Sequence, residues 1–334
     1  MESNLLSERE TLVLQALVDA YIEIGIPIGS QTLCAREDMG ISSATVRNTL
    51  SSLEEKGYVK QPHTSAGRIP TDRGYRFFVA QRMEEGGFEL DEEEIQLREQ
   101  LEGQLREGNC EEILAQLAKM LGDISHQLGL VLAPRFEQGF FHRLELVRLA
   151  ENRLLLVVTI RQGLVKSLVL EVASGISRDD LELMSRLLNE RLHGLTMAEI
   201  RRSMRQRLAM LNTGNLQLLR AVTEEIEGLA APSGADLHVS GTSNICLQPE
   251  FHDPLRVAGL IELVEKKDAL AHLLRARQGM VITIGEENGP QPIELCSVVT
   301  ASCEIGGALG VIGVIGPMRM PYGRVVNLDR KSVV

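Results

Sequence analysis

Residues 43–82 read SATVRNTLSSLEEKGYVKQPHTSAGRIPTDRGYRFFVAQR, and the change of period inside this run decides the fold of the first part of the chain. From Ser43 to Lys56, Val46, Leu50 and Leu53 fall at i, i+4 and i+7, one stripe of an amphipathic helix that Gly57 ends. Two short extended runs follow, Tyr58 to Gln61 and Arg68 to Pro70, around the small polar loop Pro62 to Gly67. That pattern predicts a β-hairpin. Thr71 then caps a further helix that carries Arg73, Tyr75, Arg76, Phe77, Phe78 and Arg82, its arginines free to meet phosphate or to lie over the core.

Upstream, Ser7 and Glu10 form a capping box, and Leu14, Leu17, Val18 and Tyr21 recur at helical spacing until Gly25 and Pro27. Ser30 caps a short second helix running to Asp38, and Met39-Gly40-Ile41-Ser42 is the turn into the third. Two helices around a Gly-containing turn followed by a hairpin predict a winged helix-turn-helix over residues 1–84. On the third helix the face opposite the apolar stripe holds Ala44, Asn48, Ser51 and Glu55, flanked by Thr45 and Arg47. Arg47 suits the O6 and N7 edge of guanine, Asn48 the N6 and N7 edge of adenine, and the methyl groups of Ala44 and Thr45 a thymine methyl. Glu55 would repel phosphate, so the helix is expected to enter a groove by its N-terminal end. The candidate DNA-binding residues are Gln31 and Thr32 on the second helix, and Ser43, Ala44, Thr45, Arg47, Asn48 and Ser51 on the third. His63, Thr64, Ser65 and Arg68 on the wing and Arg73 beyond it complete the set. A plain helical hairpin with a solvated polar face reads equally well until the wing is added.

Charge supports the same placement. Net charge is −11 over 334 residues, yet residues 43–82 hold seven Lys/Arg against three Asp/Glu, and residues 84–112 hold twelve Asp/Glu against two Arg. The footprint of a DNA module depends on its local face, so overall acidity does not count against nucleic acid. The acidic run at 85–112 is expected to be a solvated helical linker. Hydrophobic residues make up 44% and aromatics 3%, with no Trp, so the cores are aliphatic. The start, MESNLLSERE, lacks a basic region before an apolar stretch, and Ile305 to Gly316 is too short to span a bilayer. A cytoplasmic protein with no membrane contact is expected. Five scattered cysteines without a C-x-x-C pair and seven dispersed histidines predict free thiols, no metal and no cofactor.

Further along, Leu114, Leu117, Leu121, Ile124 and Leu128 form a two-heptad stripe expected to pack on a sheet. Arg143 to Leu149, Arg153 to Ile160 and Val165 to Val172 read as strands, the continuous LLLVVTI as a buried central one. Helices are expected at Asp179–Leu192, Ala198–Leu211 and Leu216–Ile226. Strands resume at Leu237–Val239, Met280–Ile284, Ile293–Ser302 and Ala308–Ile315, with one helix from Pro254 to Arg275 between the first two. Gly307, Gly310, Gly313 and Gly316 match no phosphate-loop pattern and read as a Gly-spaced strand or close backbone packing.

The run SATVRNTLSSLEEKGYVKQPHTSAGRIPTDRGYRFFV, with SGTSNICLQPEF and GVIGPMRMPYGRVV later in the same order, resembles the heat-inducible transcription repressor family HrcA. Ser43 and Thr49 stand where that family's pattern has Pro and Glu. The resemblance implies an α+β multidomain fold: a winged helix-turn-helix at 1–84, the acidic linker at 85–112, and a GAF-like domain at 113–174 and 236–334. A mainly helical dimerisation domain at 175–235 would interrupt it. It further implies a homodimer that binds an inverted-repeat double-stranded DNA operator upstream of chaperone operons. Such a repressor is held active by the chaperonin GroEL and lost on heat stress. An enzyme with a DNA-binding head is the competing class, but no G-x-S-x-G, P-loop or Cys–His nucleophile pair is present. A winged helix used only for protein contacts is opposed by Arg47, Asn48, His63 and Arg68. The chain is expected not to be an enzyme.

Overall fold

The structure is a computed structural model that describes residues 6–36, 40–63, 66–85, 110–134, 136–161, 165–172, 176–208, 216–229, 237–275, 279–289, 293–305 and 308–329. The mixture of helix and sheet agrees with an α+β chain. Thr64, Ser65 and nearly all of the acidic run lie outside the described residues.

Helix α1 (Glu8–Ile24) opens on the capping box of Ser7 and Glu10 and closes on Gly25 in the left-handed region. Helix α2 (Ser30–Arg36) and α3 (Ser43–Glu55) follow, α3 starting where the Ser42 hydroxyl accepts the Thr45 N–H. Ser43 is therefore its first helical residue, a position that proline also suits. Strands β1 (Val59–Lys60) and β2 (Ile69–Pro70) pair antiparallel, and α4 (Asp72–Glu84) is capped by Thr71. Val46, Leu50 and Leu53 bury the α3 stripe with Leu14, Leu17, Leu33 and Phe78 in one core. Full burial of each such side chain is worth about 1.5–3 kcal/mol.

The body is built on a five-stranded antiparallel sheet of order β7-β3-β10-β9-β8: β3 (Leu128–Leu132), β7 (Leu237–Ser240), β8 (Val281–Ile284), β9 (Cys296–Ile305) and β10 (Ala308–Pro317). One face packs Val131, Val299 and Val314 against α5 (Cys110–Ser125) and against Tyr322 and Val326 of α12 (Tyr322–Asp329). The other packs Leu130, Val298 and Ile315 with Ile245 of α9 (Thr242–Cys246) under α10 (Pro254–Glu265) and α11 (Lys267–Arg275). The heptad stripe thus lies on a sheet, but its last member, Leu128, is on a strand and faces the opposite core. Residues 110–112, placed in the linker by composition, begin α5. The single helix expected over Pro254–Arg275 breaks at Lys266. The glycine-spaced run is a strand whose Gly313 faces Leu274 and whose Gly316 faces Gln127.

Between β3 and β7 lies a second unit with its own core. Strands β4 (Phe141–Ala150), β5 (Arg153–Ile160) and β6 (Val165–Glu171) form a separate three-stranded meander. Its inner residues Leu144, Leu154, Leu156 and Val158 pack on α6 (Arg178–Leu192), α7 (Met197–Leu208) and α8 (Leu216–Leu229). The expectation placed 113–174 in the main domain and only 175–235 in the insert; in the structure β4 to β6 pack with α6 to α8 and stand apart from the main sheet. The chain leaves the main sheet at Leu132 and re-enters at Leu237, its register partner, so strands and helices between them form one excursion. LLLVVTI is the central strand of that meander, but its burial alternates, because helices cover one face only. Among the described residues no helix is long and apolar enough to cross a membrane.

Candidate nucleic-acid interface

The first three turns of α3 present Ala44, Arg47, Asn48 and Ser51 to solvent. Among the described residues the Arg47 and Asn48 side chains have no hydrogen-bond or ion-pair partner, whereas their neighbours are tied down. Ser43 Oγ donates to Ser30 Oγ at 3.2 Å, the Thr45 and Ser42 hydroxyls meet at 3.0 Å, and Ser51 Oγ donates to the Arg47 carbonyl at 3.2 Å. Thr49 is buried, its hydroxyl donating to the Thr45 carbonyl. Gln31 and Thr32 are exposed in the first turn of α2, beside that end of α3 as the Ser43–Ser30 contact requires. His63 and Lys60 are exposed on the hairpin.

The hairpin is fixed to α3 through Glu54, which accepts the Gln61 N–H at 3.0 Å and pairs with Arg68 at 2.8 Å. Gln61 Nε2 closes the hairpin loop on the Ala66 carbonyl at 2.8 Å. β2 is also held to the start of α2 by reciprocal backbone bonds between Ile28 and Arg68. There Gly67 lies so close to the Ile28 backbone that any Cβ would collide with it. With only 18% of its side chain exposed, Arg68 is held by Glu54. Charge-assisted bonds of this kind are strong and directional.

The other cations of the segment are likewise engaged. Lys56 pairs with Glu10 at 2.7 Å, and Ser52 donates to the same carboxylate at 2.8 Å. Lys56, the Ser7 N–H and Ser52 hold the Glu10 carboxyl down to about 2. Arg73 donates to the Lys56 carbonyl at 2.9 Å and lies over the Tyr58 ring at 4.4 Å. Arg82 pairs with Asp19, and Arg76 with Glu287. Of the seven basic residues in 43–82, Arg47 and Lys60 are left facing solvent. Lys60 was not among the sequence candidates. Its signal was the period of two, which buries Val59 and turns Lys60 outward.

Elsewhere the chemistry is sparse. Among the described residues no group of three or more His, Cys, Asp or Glu is placed to hold a metal ion. Cys296 is buried and its thiol is pushed up to about 12 by that burial, so it stays protonated at neutral pH.

Residues 111–326 match the family model described as HrcA protein C terminal domain. A protein of Chlorobium phaeobacteroides (strain BS1) named heat-inducible transcription repressor HrcA is 38% identical over 338 residues, covering 97% of this chain and 95% of its own length. One of Desulforamulus reducens with the same name is 36% identical over 328 residues, covering 97% and 94%. A solved structure titled "Crystal structure of a hypothetical protein at 2.2 A resolution" is similar with a TM-score of 0.66 at 25% identity, covering 97% of this chain and 95% of that one. The family model spans well over half of the chain and these relatives align along nearly all of it, so the chain belongs to the HrcA family of heat-inducible transcription repressors.

Proposed function

We propose that residues 6–85 are a winged helix-turn-helix, that two copies of the chain read an inverted-repeat DNA operator with them, and that the bound dimer represses heat-shock chaperone operons. The observation that carries this reading is the outward pair Arg47 and Asn48 on the first turns of α3. They lie on a helix whose Ser43, Thr45 and Ser51 hydroxyls, with the neighbouring cations Lys56 and Arg68, are bound within the fold. A bidentate donor for guanine and one for adenine, carried on a rigid and braced helix, suit base reading in the major groove. The five-stranded domain is read as GAF-like, and the unit between β3 and β7 as the dimerisation element. In support, the outer face of its meander carries a cross-strand row of Val147, Leu155 and Val169, and both valines are more than 40% exposed. A second copy would cover that row. The family names support the repressor role, and the reading extends to a cytoplasmic, non-enzymatic protein that the chaperonin GroEL keeps active.

Titration of full-length protein on a duplex that the wild type enriches from a random pool, and on a scrambled duplex, tests this at two salt concentrations. Arg47→Ala and Asn48→Ala are expected to lose about 1–3 kcal/mol on the enriched duplex and little on the scrambled one. Lys60→Ala is expected to weaken both alike and to lower the salt slope by about one per head. Equal losses on both duplexes for Asn48→Ala would remove it from base reading.

A further inference from the structure

The N-terminal unit does not hang free of the body, and its attachment uses none of the outward residues of α3. Asp72 and Arg76 stand one turn apart on the same face of α4, and both address the turn after β8. Asp72 accepts the Glu286 N–H at 3.1 Å. Gly285, at φ +59°, lies so close beneath that a Cβ there would overlap the Asp72 carboxylate. Arg76 Nε donates to Glu287 Oε1 at 2.8 Å, and its Nη2 reaches both Glu287 Oε2 and, at 2.7 Å, the Ile282 carbonyl. Glu287 also accepts the Ile284 N–H at 2.9 Å, so the acceptor is fixed before the arginine arrives. At a second point Arg319 is held by Glu250 at 2.5 Å and Gln248 at 2.9 Å, and its guanidinium lies against Gly25, the left-handed end of α1. Between the two points Tyr75 packs on Tyr322, their ring centroids 6.4 Å apart. Tyr322 is in turn tied to Ser297 Oγ at 2.6 Å and to the Met318 carbonyl at 2.8 Å.

A polar anchor at Asp72 and Arg76 and a van der Waals contact of Arg319 at Gly25, on either side of a buried aromatic seam, leave a rigid body little freedom to swing or roll. We propose that Asp72 and Arg76, with Gly285 to Glu287 and Arg319 of the body, are positioning residues that fix the angle of the DNA-reading unit and thereby set the half-site spacing the dimer accepts. This rests on the operator-binding reading above. The physical reason is effective concentration. Once one unit is bound, the second binds intramolecularly only if it is already aimed at its half-site, and a loosened mount spreads it over orientations that miss. Recognition of a single half-site needs only α3 and the wing, and does not depend on the mount.

The experiment uses the full-length chain and four duplexes: the one the wild type enriches, its single half-site, and versions with the spacer changed by about five and about ten base pairs, half a helical turn and a full turn. Arg76→Ala is expected to bind the full duplex about tenfold more weakly or worse, to bind the half-site within about twofold of wild type, and to discriminate less among spacers. Glu287→Gln, a milder change should Arg76→Ala fold poorly, is expected to follow it. The charge reversal Arg76→Glu with Glu287→Arg should recover much of the loss. Wild-type behaviour of Arg76→Ala and Glu287→Gln on the full duplex, equal losses on full and half duplexes, or tighter binding after either change would each overturn the proposal. A wild-type chain that enriches no inverted repeat would overturn the operator reading, and this proposal with it.

Discussion

A carboxylate at the third position of a capping box ordinarily serves only the helix it caps. Glu10 does that for α1 and also takes Ser52 and Lys56 from the last turns of α3. Its carboxyl is held at about 2 in the folded chain against an ordinary value of 4.5, so the fold prefers the ionised form. Stability from this group is complete above about pH 5 and drains away as pH falls through 4.5 toward 2. Glu10→Gln is therefore expected to be about 2 kcal/mol less stable than wild type at pH 7, with the gap closing toward pH 3. Denaturant unfolding across that range measures it, and a gap that stayed constant would show that Glu10 acts through packing alone. The sequence shows the capping box because its partners are three residues apart. It does not show Lys56, nor that Arg68 meets Glu54 and Arg73 the Lys56 carbonyl, because those partners are not set by local spacing.

At the scale of elements, what was legible is what is local. Helices α1, α3 and α6 begin at a Ser with an acceptor hydroxyl, and their apolar spacing marks the buried face. The hairpin shows through its loop residues. Assignment of strands to sheets was not legible, because pairing is non-local and β5 has the same apolar character as a strand of the main sheet. Nor was the use of SGTSNICLQPEF, in which Asn244 Nδ2 donates to the Gly122 carbonyl at 2.9 Å and Gln248 holds Arg319. The observed topology makes a sharper deletion than the sequence would suggest. Removing 176–232 alone would strip α6 to α8 from Leu154, Leu156 and Val158 and leave an apolar sheet face in water. Replacing 134–235 by a tight two-residue Asn-Gly turn instead joins Leu132 to Leu237 across a ladder that already exists. That variant is expected to keep the five-stranded sheet and to sediment as a monomer that binds a single half-site. A persistent dimer would place the symmetric contact outside the inserted unit.

In the molecule as a whole, the main sheet is assembled from strands far apart in the chain: Val311 of β10 pairs with Leu132 of β3, 179 residues earlier. Until β7 and then β10 arrive, Leu130, Val131 and Leu132 have no partner strand, and a complete inserted unit with its own core lies in the chain between β3 and β7. Late closure of this kind leaves apolar strand edges exposed during folding and favours aggregation. The N-terminal unit shares its core with the body through Tyr75 and Tyr322, so a chain that fails to close the sheet also lacks the mount for that unit. A chaperonin is therefore expected to act on the number of competent molecules and not on the affinity of each. A partner that rescues misfolded chains changes how many bind, whereas an effector of the folded state must favour one conformation and changes how tightly each binds. Titration at protein concentrations far above the dissociation constant measures the active fraction, and titration far below it measures the constant itself. With GroEL and ATP present during refolding, the first should rise and the second should stay fixed. A fall in the dissociation constant at unchanged active fraction would mean that the chaperonin selects a conformation of the folded repressor, and the mount at Asp72 and Arg76 would then be the place to look for it.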